Sequence, residues 1–544
     1  MSPVPKPLTT SENKQLLDTS RHINQIPANH IWRTRMPLAR ICLVAAIAAL
    51  LCFVFVAHAY WLTPNHDSAI YVIEAQKLLA GGRFYDDIME ITPPLIVLLN
   101  VPGVLISQAT GLDPWAAFTA WVCVLIIISM LLALPYLGLP YPNRKGFGAL
   151  LYFAAIALLP AYSFSQREHL TVVLFLPGLL WFASREAGWR QPFNSRCLVT
   201  LLLAALGLLI KPFFLIVLAI LVVLRAASHR DWRMLFGVET VVMGSVSLIY
   251  ALVVYAFYRE WLSSAALAAQ VYFAFESPWP MVLKSFWRIE FAFAAAMIAF
   301  LFTPLAPERR VFLRQLTVAA AGFLAVAILQ HKGWGYHVLP ATVLTFLLLA
   351  LLGIDLFEQF MKKRRLGMPV RASFLAFSLT LLFVGGVSWE SVAYHSNLAY
   401  YRRQNFLNDP FVAAVDQLAA GRPWAALSTS VSPVFPTALV LGGQWSSRSV
   451  HQWLPPGILK LRAGGPEDRA RARHLQELAT SFVIEDLDRY RPKLVAVAVG
   501  PQQAIAVPFD FLAFFAEDEN FSRVWSPYRL AKSIEGWQFY LREE

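Results

Sequence analysis

The sequence predicts a polytopic α-helical membrane protein that carries a C-terminal α/β domain. Of its 544 residues, 57% are hydrophobic and 15% are charged, a balance typical of integral membrane proteins. Apolar runs of about 18 residues or more, each long enough to cross a bilayer as a helix, recur up to residue 392. The composition then becomes mixed. Together these observations predict about 11–13 transmembrane helices, followed by a separate domain.

The membrane region is predicted at residues 41–392, after a cytoplasmic tail at residues 1–40. The tail is polar and lacks hydrophobic periodicity, which predicts flexibility. The first hydrophobic span is followed by an acidic loop at 61–90. The apolar segments lie at 41–60, 91–109, 115–138, 147–164, 169–184, 197–224, 234–257, 289–304, 315–330, 338–357 and 373–392.

The net charge of +12 is explained by the loops between the spans and does not indicate nucleic-acid binding. Most basic residues are clustered in short loops, at 33–40, 185–196, 225–233, 309–314 and 362–371. Such clusters mark cytoplasmic loops. The opposite side of the membrane then receives the segments 61–90, 166–169, 258–288 and 331–337 and the C-terminal domain.

Two segments do not follow this simple topology. The spans 91–109 and 115–138 separate an outer loop from basic residues that look cytoplasmic, so either one of them is a half-span or that basic loop breaks the charge rule. The long segment 197–224 is interrupted at Lys211-Pro212, which predicts two short helices that meet at a kink. Lys211 is then expected to point into a cavity or toward the outer interface.

The C-terminal domain is predicted at residues 393–544, on the outer side. The runs Trp424–Ser430 and Leu494–Gly500 have the composition of buried strands, whereas 470–480 and 509–517 have helical periodicity. The last 25 residues alternate aromatic and polar side chains, as strands do. This pattern predicts a small α/β domain.

Four groups of polar residues are predicted on the outer side of the membrane. They combine carboxylates with cations, as a reaction needs if it activates a hydroxyl group and expels a phosphate. The first group belongs to the acidic loop, the second and fourth are loops between spans, and the third is a single lysine. They are His66-Asp67 with Asp86, Asp87 and Glu90; Gln166-Arg167-Glu168-His169; Lys211; and His331-Lys332-Gly333-Trp334-Gly335-Tyr336-His337.

Each group also has a purely structural explanation. Asp67 is a favoured N-cap for a helix at 68–80, and a capping role is compatible with a catalytic one. The segment 166–169 fits a solvated turn, and Lys211 fits a side chain that extends to the interface. The aromatic residues of 331–337 fit an interfacial anchor.

Several motifs occur in a characteristic order and spacing: HD at 66–67, AQKLLAGGRFYDDIMEITPPLIVLLNVPG, FSQREHL, LLIKPFF and GWGYHVLPA. With this set, the sequence resembles the GT-C glycosyltransferase superfamily, especially the bacterial relatives of protein O-mannosyltransferases and the lipid A aminoarabinose transferases. The resemblance covers roughly residues 40–392. The sequence departs from the pattern at 91–94, where several relatives have Lys or Asn before the two prolines.

The resemblance implies an activity. Such enzymes transfer a sugar from a polyprenyl-phosphate carrier to an acceptor on the outer face of the membrane, usually with inversion. The implied partners are the lipid-linked sugar donor, membrane lipids and a glycan, lipid or protein acceptor, with no nucleic acid. The implied location is a bacterial inner membrane, with the active site and the C-terminal domain facing the periplasm.

The resemblance also implies roles for particular residues. Asp67 would be the general base or bind the acceptor, and Glu168 is the best match to a second acidic residue. Some relatives use a divalent metal ion, for which Glu90 and His337 are loose candidates, and the metal requirement is left open. The expected substrate-binding residues are His66, Asp86, Asp87, Arg167, His169, Lys211, Lys332, Tyr336 and His337.

Two other functions remain alternatives. A transporter or flippase of a lipid-linked sugar would favour polar residues at mid-membrane and a repeat of hydropathy between halves, and no repeat is visible in the sequence. A non-catalytic scaffold of the same fold would tolerate Asp67→Asn. The identity of the sugar and acceptor, the oligomeric state and the role of the C-terminal domain cannot be read from the sequence.

Overall fold

The computed structural model describes residues 38–140, 145–189, 193–362, 401–442, 444–505 and 507–543. The chain divides into two compact units between Ala48 and Ala49. The second unit contains the membrane helices that follow Ala48, the acidic loop and the C-terminal domain. It also contains all of the residues that form the site described below.

The first part of the chain is helical, with short turns of 3₁₀ or π geometry between several helices. The α-helices are α1 Leu38–Val56, α2 His66–Leu79, α3 Leu95–Thr110, α4 Pro114–Leu137, α5 Lys145–Phe153, α6 Arg167–Glu186, α7 Ser195–Leu209, α8 Leu215–His229, α9 Val238–Phe257, α10 Trp261–Val271, α11 Trp279–Phe302, α12 Pro307–Leu329 and α13 Leu339–Lys362.

The polytopic prediction is confirmed. Within the described ranges, 7 helical segments are long and apolar enough to cross a membrane: Arg40–Trp61, Pro114–Leu137, Pro212–His229, Val238–Phe257, Trp279–Phe302, Pro307–Leu329 and Gly335–Leu356. Shorter apolar helices accompany them at Leu95–Thr110, Lys145–Leu158, Ser195–Leu209 and Trp261–Phe275. The predicted segment 373–392 lies outside the described residues. Membrane helices followed by an α/β domain are the architecture that the GT-C resemblance implies.

The predicted break at Lys211-Pro212 is confirmed. Helix α7 ends at Leu209, and α8 begins at Leu215 after a short 3₁₀ turn, because proline has no N–H to donate to the preceding turn. Of the two segments with unresolved topology, α3 has 16 residues and α4 has 24. A 16-residue helix extends for only about 24 Å, whereas the hydrocarbon core is about 30 Å thick. The length of α3 therefore favours the half-span alternative.

The segment 258–288 was expected to be a loop, but it is mostly helical. The segment contains α10, a 3₁₀ turn at Tyr272–Phe275 and the start of α11. The run Ser263-Ser264-Ala265-Ala266-Leu267-Ala268-Ala269 explains the helix, since alanine and leucine are strong helix formers. Trp261 thus lies on α10, and Tyr272, Phe273 and Phe275 lie on the 3₁₀ turn.

The C-terminal domain contains a four-stranded sheet of order β1-β2-β4-β3. The strands are β1 Trp424–Leu427, β2 Leu494–Ala498, β3 Tyr528–Ile534 and β4 Trp537–Arg542. Strands β1 and β2 are parallel, with Trp424 opposite Leu494, and the other pairs are antiparallel. The helices are α14 Arg403–Leu407, α15 Pro410–Ala419, α16 Val434–Val440, α17 Leu454–Arg462, α18 Pro466–Tyr490, α19 Phe511–Phe515 and α20 Glu519–Trp525. The predicted strands and both predicted helices are confirmed as elements. The helix predicted at 470–480 is much longer, Pro466–Tyr490, and the one predicted at 509–517 is shorter, Phe511–Phe515.

One hydrophobic core joins the C-terminal domain to the rest of the chain. Met89 of the acidic loop and Val271 of α10 are buried in the same cluster as Ile458 and Phe482 of the C-terminal helices. The contact is so close at Gly457 that an added Cβ would clash with the Cβ of Val271. The packing fixes the C-terminal domain over the acidic loop.

Candidate active site

Helix α2 places the His66-Asp67 pair at its first turn. The N-cap is Asn65, whose side-chain oxygen accepts the backbone N–H groups of Asp67 at 3.0 Å and Ser68 at 3.3 Å. The prediction that Asp67 caps a helix beginning at Ser68 is therefore wrong. Asparagine is as good a cap as aspartate, and its use here leaves the Asp67 carboxylate free for other partners.

Asp67 is nearly buried, and polar groups surround it. Its Oδ2 lies 3.3 Å from Nη2 of Arg167 and 3.5 Å from Nε2 of Gln166, and its Oδ1 lies 3.4 Å from Nε2 of His66. Burial alone would raise the pKa of Asp67, but His66, Arg167 and Lys211 more than offset it and lower the pKa below its ordinary value. Asp67 is therefore ionised at neutral pH.

Arg167, at the start of α6, connects three parts of the site. Its Nη1 donates to Oγ1 of Thr92 at 2.7 Å, and its Nη2 lies 3.3 Å from the hydroxyl of Tyr336 as well as close to Asp67. Its guanidinium group also lies 5.5 Å from the ring centre of Tyr71, a cation–π distance. Asp67, Arg167 and Tyr336, which belong to three different polar groups of the sequence, thus lie together.

Glu168 and Lys211 form a buried ion pair next to this cluster. The Lys211 ammonium donates to Oε1 of Glu168, and it lies 3.4 Å from Oε1 of Gln330. Nε2 of His337 lies 4.0 Å from Oε1 of Glu168. Lys211 thus points inward from the helix break to a buried carboxylate, and neither of the two expected positions, in a cavity or at the outer interface, describes it. Glu168 is fully buried, so the structure places it in an ion pair and not on a cavity surface.

A cavity of about 380 Å³ opens beside Asp67 and Arg167. Its walls come from the acidic loop, from α6, from the 3₁₀ turn at Tyr272–Phe275, from Trp334 and Tyr336, and from the C-terminal domain. The C-terminal domain contributes Ser430 to Ser432, Val450, His451, Trp453 and Gln503. No local pattern in the sequence indicated these residues, because only the tertiary fold brings them to the acidic loop.

Several residues predicted to bind substrate lie elsewhere, bound to other partners. Asp86 pairs with Arg83 on the surface, with 2.7 Å between Oδ2 and Nη2. His169 is buried: its Nδ1 accepts the Ser165 N–H at 2.8 Å and its Nε2 lies 2.6 Å from a backbone oxygen. Lys332 donates to the backbone oxygen of Tyr272 at 2.8 Å. These positions do not support the substrate contacts predicted for Asp86, His169 and Lys332.

Asp87 joins the acidic loop to the C-terminal domain. Its Oδ1 accepts the hydroxyl of Tyr490 at 2.7 Å and lies 2.8 Å from Nη1 of Arg489. Lys77 adds a second link by donating to the backbone oxygens of Asp87 at 3.1 Å and Ser447 at 2.6 Å. The substrate-binding role predicted for Asp87 is therefore not supported, since its carboxylate is used in this contact between segments.

Asp87→Asn should destabilise the protein by about 1 kcal/mol at neutral pH, because it weakens hydrogen bonds made by a charged group. Burial would raise the pKa of Asp87, but the Arg83 N–H and the Tyr490 hydroxyl help to lower it. The stabilisation is therefore present above about pH 4 and is lost as the pH falls through the lower pKa of the folded state. Thermal unfolding of both proteins at pH 7 and pH 3.5 tests this prediction. The exposed Asp488→Asn is the control. If Asp87→Asn lowers the stability equally at both pH values, the prediction is wrong.

Two buried glutamates lie beside the cavity. Glu90 lines the cavity, and its Oε1 accepts the Thr92 N–H at 2.6 Å. Within the described part of the chain, neither carboxylate oxygen of Glu74 has a hydrogen-bond partner. Burial, reinforced by Glu90, raises the pKa of Glu74 well above its ordinary value, and burial also raises that of Glu90. Among the described residues, no three His, Cys, Asp or Glu side chains are grouped to hold a metal ion, and Glu90 and His337 stay candidate ligands by resemblance alone.

Glu74→Gln should stabilise the protein, and more so as the pH rises. An unfolded glutamate ionises near pH 4.3, whereas folded Glu74 keeps its proton to a higher pH. The folded state then binds more protons, so the free energy of unfolding falls with pH in this window. Glutamine has no proton to lose. Thermal unfolding between pH 5 and pH 8 measures the effect, with exposed Glu477→Gln as the control. A difference that does not change with pH would contradict the prediction.

Comparisons with solved structures find only distant similarities. No protein family model matches the sequence, and no curated protein matches it significantly. The structure of ArnT from Cupriavidus metallidurans bound to undecaprenyl phosphate is similar over 91% of this chain and 97% of that chain, with 12% sequence identity and a TM-score of 0.49. The same protein in the apo state is similar over 92% and 98%, with 12% identity and a TM-score of 0.48. The case for an activity therefore depends on the geometry of the site.

Proposed function

We propose that this protein is a membrane glycosyltransferase that takes a sugar from a polyprenyl-phosphate carrier and passes it to a hydroxyl group of an acceptor. The observation that carries the proposal is the position of Asp67, an ionised carboxylate that faces a cavity of about 380 Å³ beside the guanidinium group of Arg167. A carboxylate and a cation on one cavity wall are the two groups that such a transfer needs.

In the proposed reaction, the acceptor hydroxyl oxygen attacks the anomeric carbon of the sugar. The new C–O bond forms as the bond between that carbon and the phosphate oxygen breaks, and the phosphate leaves with the bonding electrons. Asp67 takes the proton of the hydroxyl group. Because its pKa is low, Asp67 becomes an effective base only late in bond formation, when the hydroxyl has become acidic.

Arg167 is the proposed contact for the carrier phosphate. Its side chain lines the cavity, and it stays charged at any physiological pH. Lys211 lies behind it and is paired with Glu168, so its positive charge supports the site without facing the cavity directly. The single-step attack described above would invert the configuration of the sugar.

The proposed location is a bacterial inner membrane, with the cavity and the C-terminal domain on the periplasmic face. Basic loops on the other side of the predicted spans support this orientation. The acceptor is a glycan, lipid or protein that carries a free hydroxyl group.

Native mass spectrometry of the protein purified in mild detergent tests the proposal, with synthetic undecaprenyl phosphate added where nothing is bound. The expected result is a bound polyprenyl phosphate, alone or with a sugar. If only ordinary phospholipid binds even after the addition, the proposal is wrong. A bound carrier also fits a flippase, so release of free undecaprenyl phosphate from the glycosylated carrier in the presence of acceptor is the measurement that separates transfer from transport.

A further inference from the structure

The part of the cavity wall that comes from the C-terminal domain is built at one edge of its sheet. Ser430 to Ser432 follow β1, which ends at Leu427, and Gln503 follows β2, which ends at Ala498. Strands β1 and β2 are parallel, so both segments leave the sheet at the same edge. In open α/β sheets, ligands bind in the crevice outside the carboxyl ends of the strands. The wall therefore occupies the position where this architecture places a binding site.

Hydrogen bonds hold the segments of this wall together. Oγ1 of Thr429 donates to the backbone oxygen of Gln503 at 2.9 Å, which joins the segments after β1 and β2. The N–H of Gln452 donates to the backbone oxygen of Ser428 at 2.7 Å, which fixes the neighbouring His451. Because these hydrogen bonds join the three segments of the wall to one another, the wall can present its side chains in one arrangement.

His451 is the polar centre of the wall. It lines the cavity, and its Nδ1 is enclosed without a hydrogen-bond partner within the described residues. Burial lowers the pKa of His451 to about 4, so the ring is neutral at pH 7. A neutral imidazole offers one N–H donor and one acceptor nitrogen. Because Nδ1 is enclosed, Nε2 is the nitrogen that the ring can offer to a ligand in the cavity.

We propose that this wall binds the sugar of the lipid-linked donor, and that His451 hydrogen-bonds to a hydroxyl group of that sugar. The inference rests on the proposed glycosyltransferase function and extends it by placing the choice of sugar in the C-terminal domain. His451 acts as a specificity-determining residue, whereas Asp67 and Arg167 act on the reacting groups.

The distribution of charge favours the sugar over the carrier phosphate as the ligand of this wall. The described residues that form the wall are Ser430 to Ser432, Val450, His451, Trp453 and Gln503, and none of them is charged at neutral pH. Asp67 and Arg167 lie across the cavity, close enough that the negative charge of Asp67 acts on His451 and slightly offsets the lowering of its pKa by burial. Phosphate is attracted to the cationic side, which leaves the neutral hydroxyl groups of the sugar for the neutral wall.

Lipid binding by the full-length protein and by His451→Ala tests the proposal. The probes are undecaprenyl phosphate and the same lipid carrying mannose, glucose, N-acetylglucosamine or 4-amino-4-deoxyarabinose, titrated in detergent and followed by native mass spectrometry. We expect His451→Ala to bind the preferred glycosylated lipid about tenfold more weakly, with less than a twofold change for undecaprenyl phosphate. His451→Asn, which keeps a donor and an acceptor, should recover part of the loss. His474→Ala, at an exposed position of α18, is the matched control.

Each outcome has a clear meaning. An unchanged affinity of His451→Ala for the preferred glycosylated lipid overturns the inference and leaves the proposed function standing. Equal binding of bare and glycosylated lipid by the unmodified protein also overturns the inference and leaves the proposed function standing. Equal losses for both lipids also overturn it, because they indicate a general effect on the fold. If the unmodified protein binds none of the five lipids, both the inference and the proposed function are wrong.

Discussion

Asp67→Asn should lower the rate of sugar transfer by about a thousandfold or more, in line with the contribution of a general base. The asparagine side chain has nearly the same shape, and its oxygen can still accept the hydrogen bond from Arg167 that Asp67 accepts at 3.3 Å. It cannot take a proton from the acceptor. The loss should therefore appear in kcat, while binding of the lipid carrier changes little.

The measurement is transfer from the glycosylated carrier found by mass spectrometry, with thermal unfolding of the same samples. Asp416→Asn, at an exposed position of α15, is the matched control and should transfer at the normal rate. Because the pKa of Asp67 is below its ordinary value, the acid limb of the rate should lie below about pH 4. Normal turnover of the Asn variant would remove Asp67 from the catalytic role.

Lys211→Met should destabilise the protein by about 3–5 kcal/mol, the usual effect of removing one partner from a buried ion pair. Glu168 is fully buried, and its carboxylate would lose the hydrogen bond that it accepts from the Lys211 ammonium group. It would then have His337 beside it but no paired cation. The cost arises from the isolated buried charge more than from the lost attraction.

The double variant with Lys211→Met and Glu168→Gln is the decisive control. It removes both charges, so it should be clearly more stable than Lys211→Met alone. Midpoints of thermal unfolding in one detergent give the comparison. If the two substitutions destabilise additively, the ion pair does not contribute as a unit, and Lys211 would have to be stabilised by other neighbours.

Local sequence signals were sufficient for much of the architecture and part of the site. Hydrophobic length predicted the membrane helices, and proline chemistry predicted the break after Lys211, confirmed by the gap between α7 and α8. Alternation and apolar runs predicted the strands of the C-terminal domain. Asp67 and Arg167, which come from two of the polar groups noted in the sequence, are in contact.

Other features depend on contacts that no local pattern shows. Asp87 bonds with Tyr490, which is 403 residues away, so its carboxylate appeared free in the sequence. His451 has no distinctive neighbours along the chain and becomes notable only where the fold brings it to the cavity. The cap at Asn65 could have been recognised, since Asn and Asp are equally favoured at that position.

The hydrophobic core that joins Met89 and Val271 to the C-terminal helices limits how far this protein can be divided. A fragment that begins near residue 401 would expose apolar side chains that are normally covered by the acidic loop and α10, and such surfaces promote aggregation. Conversely, removal of the fragment would open the cavity beside Asp67 to water. The C-terminal domain is therefore not an interchangeable accessory, and it and the membrane helices are expected to be inherited together.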